Sequence, residues 1–250
     1  VSVVVENYLQ AIYKLKERDE RVFPTRLAEV MNVSVATVTG ALKRLTKQGM
    51  VEVNADKEVG FTSKGGELGE AVVRRHRLAE RLLTELLGVE WHRAHAEAHR
   101  LEHAISPYVE TKLAEALGYP ETNPFGSPIP GYCDKRRLPP MKPLSQANEG
   151  DDTVVGRVPE EDFLLLEYFD RSGLKPGAAL KITERAPFKG TITLQLGEQQ
   201  VVLSMDVADK VLVEGINVVS RHTKATGNVR QAGIVQKELP IPAANVMLVC

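Results

Sequence analysis

The feature that most constrains this chain is a histidine-rich stretch from Trp91 to Ile105, which reads WHRAHAEAHRLEHAI. Four of the chain's six histidines lie in it. At about 100° per residue, one side of a helix would carry His95, His99, Glu102 and His103. An adjoining apolar side would carry Ala94, Ala98, Leu101 and Ile105. Imidazole and carboxylate together suit first-row divalent metals, whereas a solvated face gains nothing special from this spacing. The stretch therefore predicts an amphipathic helix with a metal-binding edge.

A second histidine and carboxylate pair precedes this stretch. His76 and Glu80 lie in RRHRLAERLL, and their i, i+4 spacing puts both side chains on one helix face. Taken alone, such a pair is more often a surface hydrogen bond than a metal site. Two neighbouring helices with His/carboxylate edges can close a site between them, as helix bundles with two metals do. The pair of helices therefore favours ligation.

Composition places the chain among globular proteins, and its 250 residues are enough for two domains. No segment approaches the roughly 20 apolar residues of a membrane span, and no signal peptide is recognisable. Cys133 and Cys250 do not form a disulfide framework, so we expect a reducing, cytoplasmic location and no membrane partner. The net charge of −1 argues against nucleic-acid binding by the chain as a whole. However, residues 1–66 carry ten Lys and Arg against eight Asp and Glu.

Periodicity in residues 1–66 predicts a DNA-binding domain. Helices are expected over about 2–17, 24–31 and 34–48, followed by a β-hairpin over 50–62. Ser34 is a good N-cap for the third helix, and Gly49 stands at a natural C-cap position. This order is that of a winged helix-turn-helix. The alternative is a generic three-helix fold with a solvated basic face.

The third helix has the composition of a recognition helix. Small and hydroxyl residues in its first turn would allow close approach to bases and phosphates, and its later exposed side is basic. The predicted DNA contacts are Thr25, Ser34, Ala36, Thr37, Thr39, Gly40, Lys43, Arg44 and Lys47. DNA binding is the favoured interpretation of this segment.

The rest of the chain divides into four segments. Residues 67–119 read as a helical domain with helices over 67–87, 91–105 and 108–117, and their excess of apolar faces predicts burial against a second subunit. Residues 120–152 read as a linker because they hold seven of the fourteen prolines. Residues 153–214 read as a small β-barrel with one helix over 160–172. Residues 215–250 have no clear period and stay unassigned. The predicted fold class is mainly α with a small β domain.

The motifs and their order resemble the diphtheria-toxin-repressor family of iron- and manganese-dependent transcriptional regulators. The resemblance covers about residues 3–214 and rests on four motifs: ENYLQAIY (6–13), HRLAERLL (76–83), HAEAHRLEH (95–103) and PFGSPIPG (124–131). It implies a homodimer with an N-terminal winged helix-turn-helix, a helical metal-binding and dimerisation domain, and a C-terminal SH3-like barrel. It also implies a palindromic double-stranded DNA operator and a divalent metal as corepressor.

The resemblance implies two sets of metal ligands. The primary set would be Asn7, His99, Glu102 and His103. The second set would be His76, Glu80 and His95, completed from the barrel by Glu160 or Glu161. Similar iron-type members carry Met and Cys where Asn7 and His99 stand, and manganese-type members carry Asp and Glu there. Gln10 is a further oxygen donor or, alternatively, a solvated polar residue.

These departures leave the metal open among Mn(II), Fe(II), Co(II) and Zn(II), with Mn(II) and Fe(II) favoured by the resemblance. Gly40 stands where some relatives carry a base-reading Gln, so the operator sequence does not transfer. The function that follows is metal-dependent repression of genes for manganese or iron homeostasis. One alternative is a metal-independent winged-helix regulator whose histidines respond to pH. The other is a metal hydrolase, which lacks support because the sequence has neither HExxH spacing nor a nucleophile motif.

Overall fold

Helices and strands in the N-terminal quarter follow the predicted order. In the computed structural model, α1 (Val3–Glu17), α2 (Pro24–Met31) and α3 (Val35–Lys47) precede an antiparallel hairpin of β1 (Val51–Val53) and β2 (Val59–Phe61). The structure describes residues 2–134, 138–186, 188 and 190–214, and the backbone of 218–223 and 233–238. The chain divides into two compact units, Val1–Lys135 and Arg136–Cys250, called here the first and second units.

Local sequence signals account for the ends of α3. The Ser34 hydroxyl accepts a hydrogen bond from the Thr37 amide at 3.1 Å, which satisfies one free N–H of the first turn. Gly49 follows the helix with a φ of +67°, a conformation that suits glycine. The three helices and the hairpin share one apolar core, whose fully buried members are Leu9, Ile12, Leu15, Leu27, Val38, Leu45 and Val59. Helix α1 and helix α3 are therefore packed parts of one body.

Helix α4 (Ser63–Arg81) begins four residues before the predicted position at Glu67. Thr62 caps the helix by accepting a hydrogen bond from the Gly65 amide at 3.1 Å. Gly65 is required here, because a Cβ atom would lie 1.7 Å from the Met50 carbonyl oxygen. The helix continues into a wider π-helical turn over Leu82–Leu86.

The histidine-rich stretch forms a shorter helix than predicted. A single 3₁₀ turn (Trp91–Arg93) leads into α5 (Ala94–Leu101), and Glu102 caps its C-terminal end. Helix α6 (Pro107–Ala116) follows after the Ser106 N-cap. Among the described residues no helix is both long enough and apolar enough to cross a bilayer.

Residues 120–134 differ from the linker that the sequence predicts over 120–152. Phe125 and Ile129 are fully buried in the first unit, and the Trp91 indole donates to the Pro124 carbonyl at 3.0 Å. Proline and glycine exclude long helices and ladders here, but they do not exclude burial when side chains satisfy the backbone carbonyls. Residues 138–152 belong to the second unit, where β3 (Met141–Pro143) joins the sheet.

The second unit is an antiparallel sheet domain with one helix of ten residues. Its strands are β4 (Asp152–Arg157), β5 (Ala179–Arg185), β6 (Thr191–Leu196), β7 (Gln199–Ser204) and β8 (Leu212–Glu214), in the order β3-β8-β4-β5-β6-β7. Helix α7 (Phe163–Ser172) lies between β4 and β5 in sequence, and the short α8 (Met205–Ala208) follows β7. The sequence predicts strands over 154–158, 179–184, 191–196, 201–205 and 210–213 and a helix over 160–172, and all six are present with ends shifted by up to three residues. In the predicted unassigned tail, β9 (Val218–Thr223) and β10 (Gly233–Glu238) form an antiparallel pair, and the remaining tail residues lie outside the described residues.

Candidate metal centre

The candidate metal centre lies where α5 packs on α4 in the first unit. Ala94 and Ala98 of α5 are fully buried, and their small side chains let the two helix backbones approach closely. Helix α4 supplies His76 and Glu80, which are one turn apart. Helix α5 supplies His95 and His99, and the turn after α5 supplies Glu102 and His103. Six of the predicted ligands are therefore brought together by one pair of helices.

Three of these residues form what we call the buried cluster: His76, Glu80 and His95. The Glu80 Oε1 atom lies 2.9 Å from His76 Nε2 and 2.7 Å from His95 Nδ1. The two imidazole nitrogens lie 3.1 Å from each other. All three residues are buried. This is the second ligand set of the sequence prediction, and its three donor atoms face one another.

The other Glu80 oxygen has a partner that the sequence prediction missed. The Asn123 side-chain amide donates to Glu80 Oε2 at 2.6 Å, and Asn123 is itself buried. Asn123 lies in the segment that the sequence predicts to be a linker, so the predicted ligand sets do not include it. An Asn directly before the PFGSPIPG motif was the available signal.

The remaining three residues, His99, Glu102 and His103, form what we call the α1-linked cluster. Glu102 Oε1 lies 3.3 Å from His99 Nδ1 and 3.2 Å from His103 Nε2. Its Oε2 atom lies 2.5 Å from His76 Nδ1, so Glu102 also contacts the buried cluster. Glu102 is fully buried, whereas the His99 side chain is 42% exposed. One carboxylate thus joins the two predicted ligand sets.

Helix α1 reaches this cluster through residues other than the predicted Asn7. The Gln10 side-chain amide donates to Glu102 Oε2 at 3.0 Å and is buried, which excludes the interpretation of Gln10 as a solvated residue. Glu6 Oε2 lies 2.5 Å from His103 Nδ1. Asn7 is half-buried on the same helix, and its role as a ligand stays a prediction. Glu6 was not among the predicted residues, although it is one turn from Gln10.

In the centre, burial and ion pairing shift the pKa values of the buried groups in opposite directions. Burial alone would lower the pKa of His76, but the carboxylates of Glu80 and Glu102 outweigh it and raise this pKa to about 9. Burial alone would raise the pKa of Glu102, but hydrogen bonds from His76 and His99 hold it well below its usual range. The imidazole and the carboxylate therefore stabilise each other's charged forms.

The donor atoms of the buried cluster fit a divalent transition metal. Two donors that each lie about 2.1 Å from an ion and subtend about 90° are about 3.0 Å apart. The donor separations of 2.7–3.1 Å in the buried cluster match this value. Each cluster offers two imidazoles and one carboxylate, and His76, His95 and His99 also lie close enough to hold an ion together. The predicted completing residues, Glu160 and Glu161, belong to the second unit, and their part in a site stays a prediction.

All nine residues that are predicted to contact DNA are exposed to solvent. The Ser34 and Thr37 hydroxyls are 2.8 Å apart at the start of α3, and the basic residues Lys43, Arg44 and Lys47 follow along the helix. At Gly40 a Cβ atom would meet nothing within 4 Å, so this position lies in open space. Their contact with DNA stays a prediction.

Comparison with family models covers most of the chain. Residues 1–59 match the iron-dependent repressor N-terminal DNA-binding domain, and residues 62–131 match the iron-dependent repressor metal-binding and dimerisation domain. Residues 142–215 match the FeoA domain. Residues 216–250 match the C-terminal domain of the large ribosomal subunit protein uL24. The centre described above lies within the matched metal-binding domain, with Glu6 and Gln10 in the matched DNA-binding domain.

Individual relatives agree with these matches. The iron-dependent repressor IdeR of Mycobacterium leprae is 34% identical over 223 residues, covering 84% of this chain and 96% of the relative. The diphtheria toxin repressor of Corynebacterium efficiens is 43% identical over 232 residues, covering 85% and 95%. A solved manganese-dependent transcriptional repressor in complex with manganese is 31% identical with a TM-score of 0.76, covering 85% of this chain and all of that one. This chain is therefore a member of the diphtheria toxin repressor family of metal-dependent, DNA-binding transcriptional repressors, and it is not an enzyme.

Proposed function

We propose that this repressor is a homodimer whose affinity for operator DNA increases when a divalent metal occupies the α4–α5 centre. One observation carries the proposal. Glu102 faces His99 and His103 through one oxygen and accepts a hydrogen bond from Gln10 of α1 through the other. Helix α1 shares its core with α3, the predicted recognition helix. The residues that would hold metal are therefore connected to the surface that would contact DNA.

The proposed ligands follow the two clusters. His99, Glu102 and His103 would hold the activating metal, with Asn7 as a fourth candidate. The residues His76, Glu80 and His95 would hold a second metal that stabilises the helical domain, with Glu160 or Glu161 as candidates from the sheet domain. Neutral imidazole and carboxylate are the donors, so metal binding requires deprotonated histidines.

The donor set favours iron as the physiological metal, with manganese as the second candidate. Two imidazoles and one carboxylate are typical of Fe(II) sites, whereas Mn(II) prefers sites richer in oxygen. Co(II) and Zn(II) also suit imidazole and are useful substitutes in experiments. The genes controlled would then serve iron or manganese homeostasis.

The proposed mode of DNA binding is that of a winged helix-turn-helix dimer. Helix α3 would enter the major groove, with the β1–β2 hairpin as the wing and a palindromic operator matching the two-fold axis of the dimer. Exposed apolar side chains on the helical part of the first unit support a dimer: Leu86, Leu87, Leu101, Tyr108 and Val109. Metal would act as corepressor by stabilising the one arrangement of α1 that sets the two recognition helices at the operator spacing.

Operator binding at constant ionic strength tests this function, because phosphate contacts make affinity steeply dependent on salt. We expect Fe(II) or Mn(II) to tighten binding about tenfold or more relative to chelator, which is about 1.4 kcal/mol of coupling. His103→Ala should abolish the gain. His92→Ala is the matched control, because His92 lies in the same stretch but outside both clusters, and it should leave the gain unchanged. Equal affinity in chelator and in metal would refute metal dependence and favour the pH-sensing alternative.

A further inference from the structure

Two residues of helix α1 contact the α1-linked cluster. Each of them hydrogen-bonds to a proposed metal ligand. Glu6 and Gln10 are four residues apart and lie on one face of α1. Gln10 donates to Glu102, and Glu6 pairs with His103. Both Glu102 and His103 are proposed ligands, whereas neither Glu6 nor Gln10 needs to touch the ion. The connection between α1 and the centre is therefore made by hydrogen bonds to ligands.

The ring of His103 presents its two nitrogens to two different carboxylates. Nε2 faces Glu102 Oε1 at 3.2 Å, on the side of the other proposed ligands. Nδ1 faces Glu6 Oε2 at 2.5 Å, on the side of α1. A histidine that ligates through Nε2 carries its proton on Nδ1 and donates it to an outer acceptor, which fixes the tautomer and the ring orientation. Glu6 is in the position of that acceptor.

Glu6 is itself held in place from α4. The Arg75 guanidinium donates from Nη2 to Glu6 Oε1 at 3.1 Å, and the Arg75 side chain is only 13% exposed. Glu6 therefore has a donor on each oxygen in a largely buried setting, and the donor on Oε1 is the charged guanidinium of Arg75. Such charge-assisted hydrogen bonds are stronger than neutral ones and fix geometry. The Glu6 carboxylate of α1 therefore contacts both Arg75 of α4 and the proposed ligand His103, which follows α5.

We propose that Glu6 is the positioning residue that couples occupancy of the centre to the orientation of α1. When His103 ligates through Nε2, its Nδ1–H becomes a better donor and its hydrogen bond to Glu6 strengthens. Helix α1 is then held against α4, and α3 moves with α1 because the two share a core. This inference rests on the proposed function and adds a second link from metal to the DNA-binding domain, beside the hydrogen bond from Gln10 to Glu102.

Glu6→Gln tests the proposal, because it preserves size and an acceptor oxygen but removes the charge. We expect metal affinity to fall by about tenfold, as for other outer partners of ligating histidines. With metal at saturation, the gain in DNA affinity should fall by about fivefold or more. In the wild type with Zn(II), NMR should show the His103 Nδ1 proton far downfield, and this resonance should shift or vanish in the variant.

Glu17→Gln is the matched control. Glu17 also lies on α1 and pairs with an arginine of α4, Arg77, at 2.5 Å, and it lies eleven residues, about 16 Å, along the helix from Glu6. We expect this variant to lose stability while keeping the wild-type gain in DNA affinity within about twofold. If Glu6→Gln does not fold, Glu6→Asp keeps the charge with a shorter reach and should give an intermediate gain.

Three outcomes separate the possibilities. A Glu6→Gln protein with the full wild-type gain would overturn the proposal. The proposal would also be overturned if Glu6→Gln and Glu17→Gln lost the metal-dependent gain in DNA affinity equally. Any contact between α1 and α4 would then be enough to couple metal to DNA binding. A wild-type protein whose DNA affinity ignores metal would overturn the proposed function first and this inference with it. A selective loss in Glu6→Gln, together with the changed His103 resonance, supports the assignment.

Discussion

The buried cluster and the α1-linked cluster have the same donors but different surroundings. Each offers two imidazoles and one carboxylate. In the first, side-chain exposure does not exceed 9%, and Asn123 from a packed loop fixes the carboxylate. In the second, His99 is 42% exposed, and two residues of α1 contact the ligands. If the two clusters have the proposed roles, donor type alone does not separate the stabilising site from the regulatory one, whereas the elements that hold the ligands do.

Glu102 is the point at which the two clusters meet. Its Oε2 accepts from His76 of the buried cluster and from Gln10, and its Oε1 faces His99 and His103. A fully buried carboxylate with this many partners cannot be replaced without leaving charged or polar groups unsatisfied. Changes at Glu102 should therefore affect both clusters, whereas changes elsewhere should affect one.

The largest effect is expected for Glu102→Gln. Removing the charge leaves His76 without its anionic partner on Nδ1, so the unfolding free energy of the metal-free protein should fall by about 3 kcal/mol. The metal-dependent gain in DNA affinity should also disappear. Denaturant unfolding and operator titrations measure the two effects. A variant that keeps its metal dependence would show that Glu102 is structural and would break the comparison.

An intermediate effect is expected for Asn123→Ala. The buried Glu80 Oε2 would lose its amide donor, which should lower the unfolding free energy by about 2 kcal/mol. Because Asn123 holds Glu80 of the buried cluster, the gain in DNA affinity with metal at saturation should stay within about threefold of wild type. Asn54→Ala is a control, since Asn54 is exposed and its side chain accepts a hydrogen bond from the Glu58 amide within the hairpin turn. A complete loss of gain in Asn123→Ala would mean that the two clusters act as one.

The smallest expected effect is the release of a proton from His76 when metal binds. With its pKa raised to about 9, this imidazole is protonated at neutral pH in the metal-free protein. Ligation through Nε2 requires the neutral ring, so metal binding should release about one proton, and affinity should rise with pH up to about pH 9. Calorimetry in buffers of different ionisation enthalpy measures the release. No dependence on buffer would place metal binding away from His76.

Much of the centre could be predicted from the sequence because its ligands lie on two helices with clear periods. His76 with Glu80, and His95 with His99, are one turn apart, and the structure brings these four together with Glu102 and His103. The contribution of α1 could not be predicted with the same precision. Periodicity identifies the apolar face of α1, but the packing angle on α4 decides whether Glu6, Asn7 or Gln10 points at a ligand.

The burial of residues 120–134 could not be predicted for a related physical reason. Its prolines and glycines correctly exclude regular structure, but its burial depends on long-range partners such as the Trp91 indole at the Pro124 carbonyl. The same holds for Asn123, whose role appears only when Glu80 is beside it. Local sequence signals carry no information about partners that are more than thirty residues away.

The sequence by itself determined the order of helices and strands over the first unit, most strands of the sheet domain, the caps of α3, the family and the residue types of both predicted ligand sets. These features depend on interactions within a few residues, which local patterns record. Only the tertiary structure decided that Glu102 joins the two clusters and that α1 reaches them through Gln10 and Glu6. It also decided that a proline-rich loop fixes Glu80. Those contacts depend on how packed helices are rotated and spaced, and a displacement of one residue along α1 would change which side chain faces the centre.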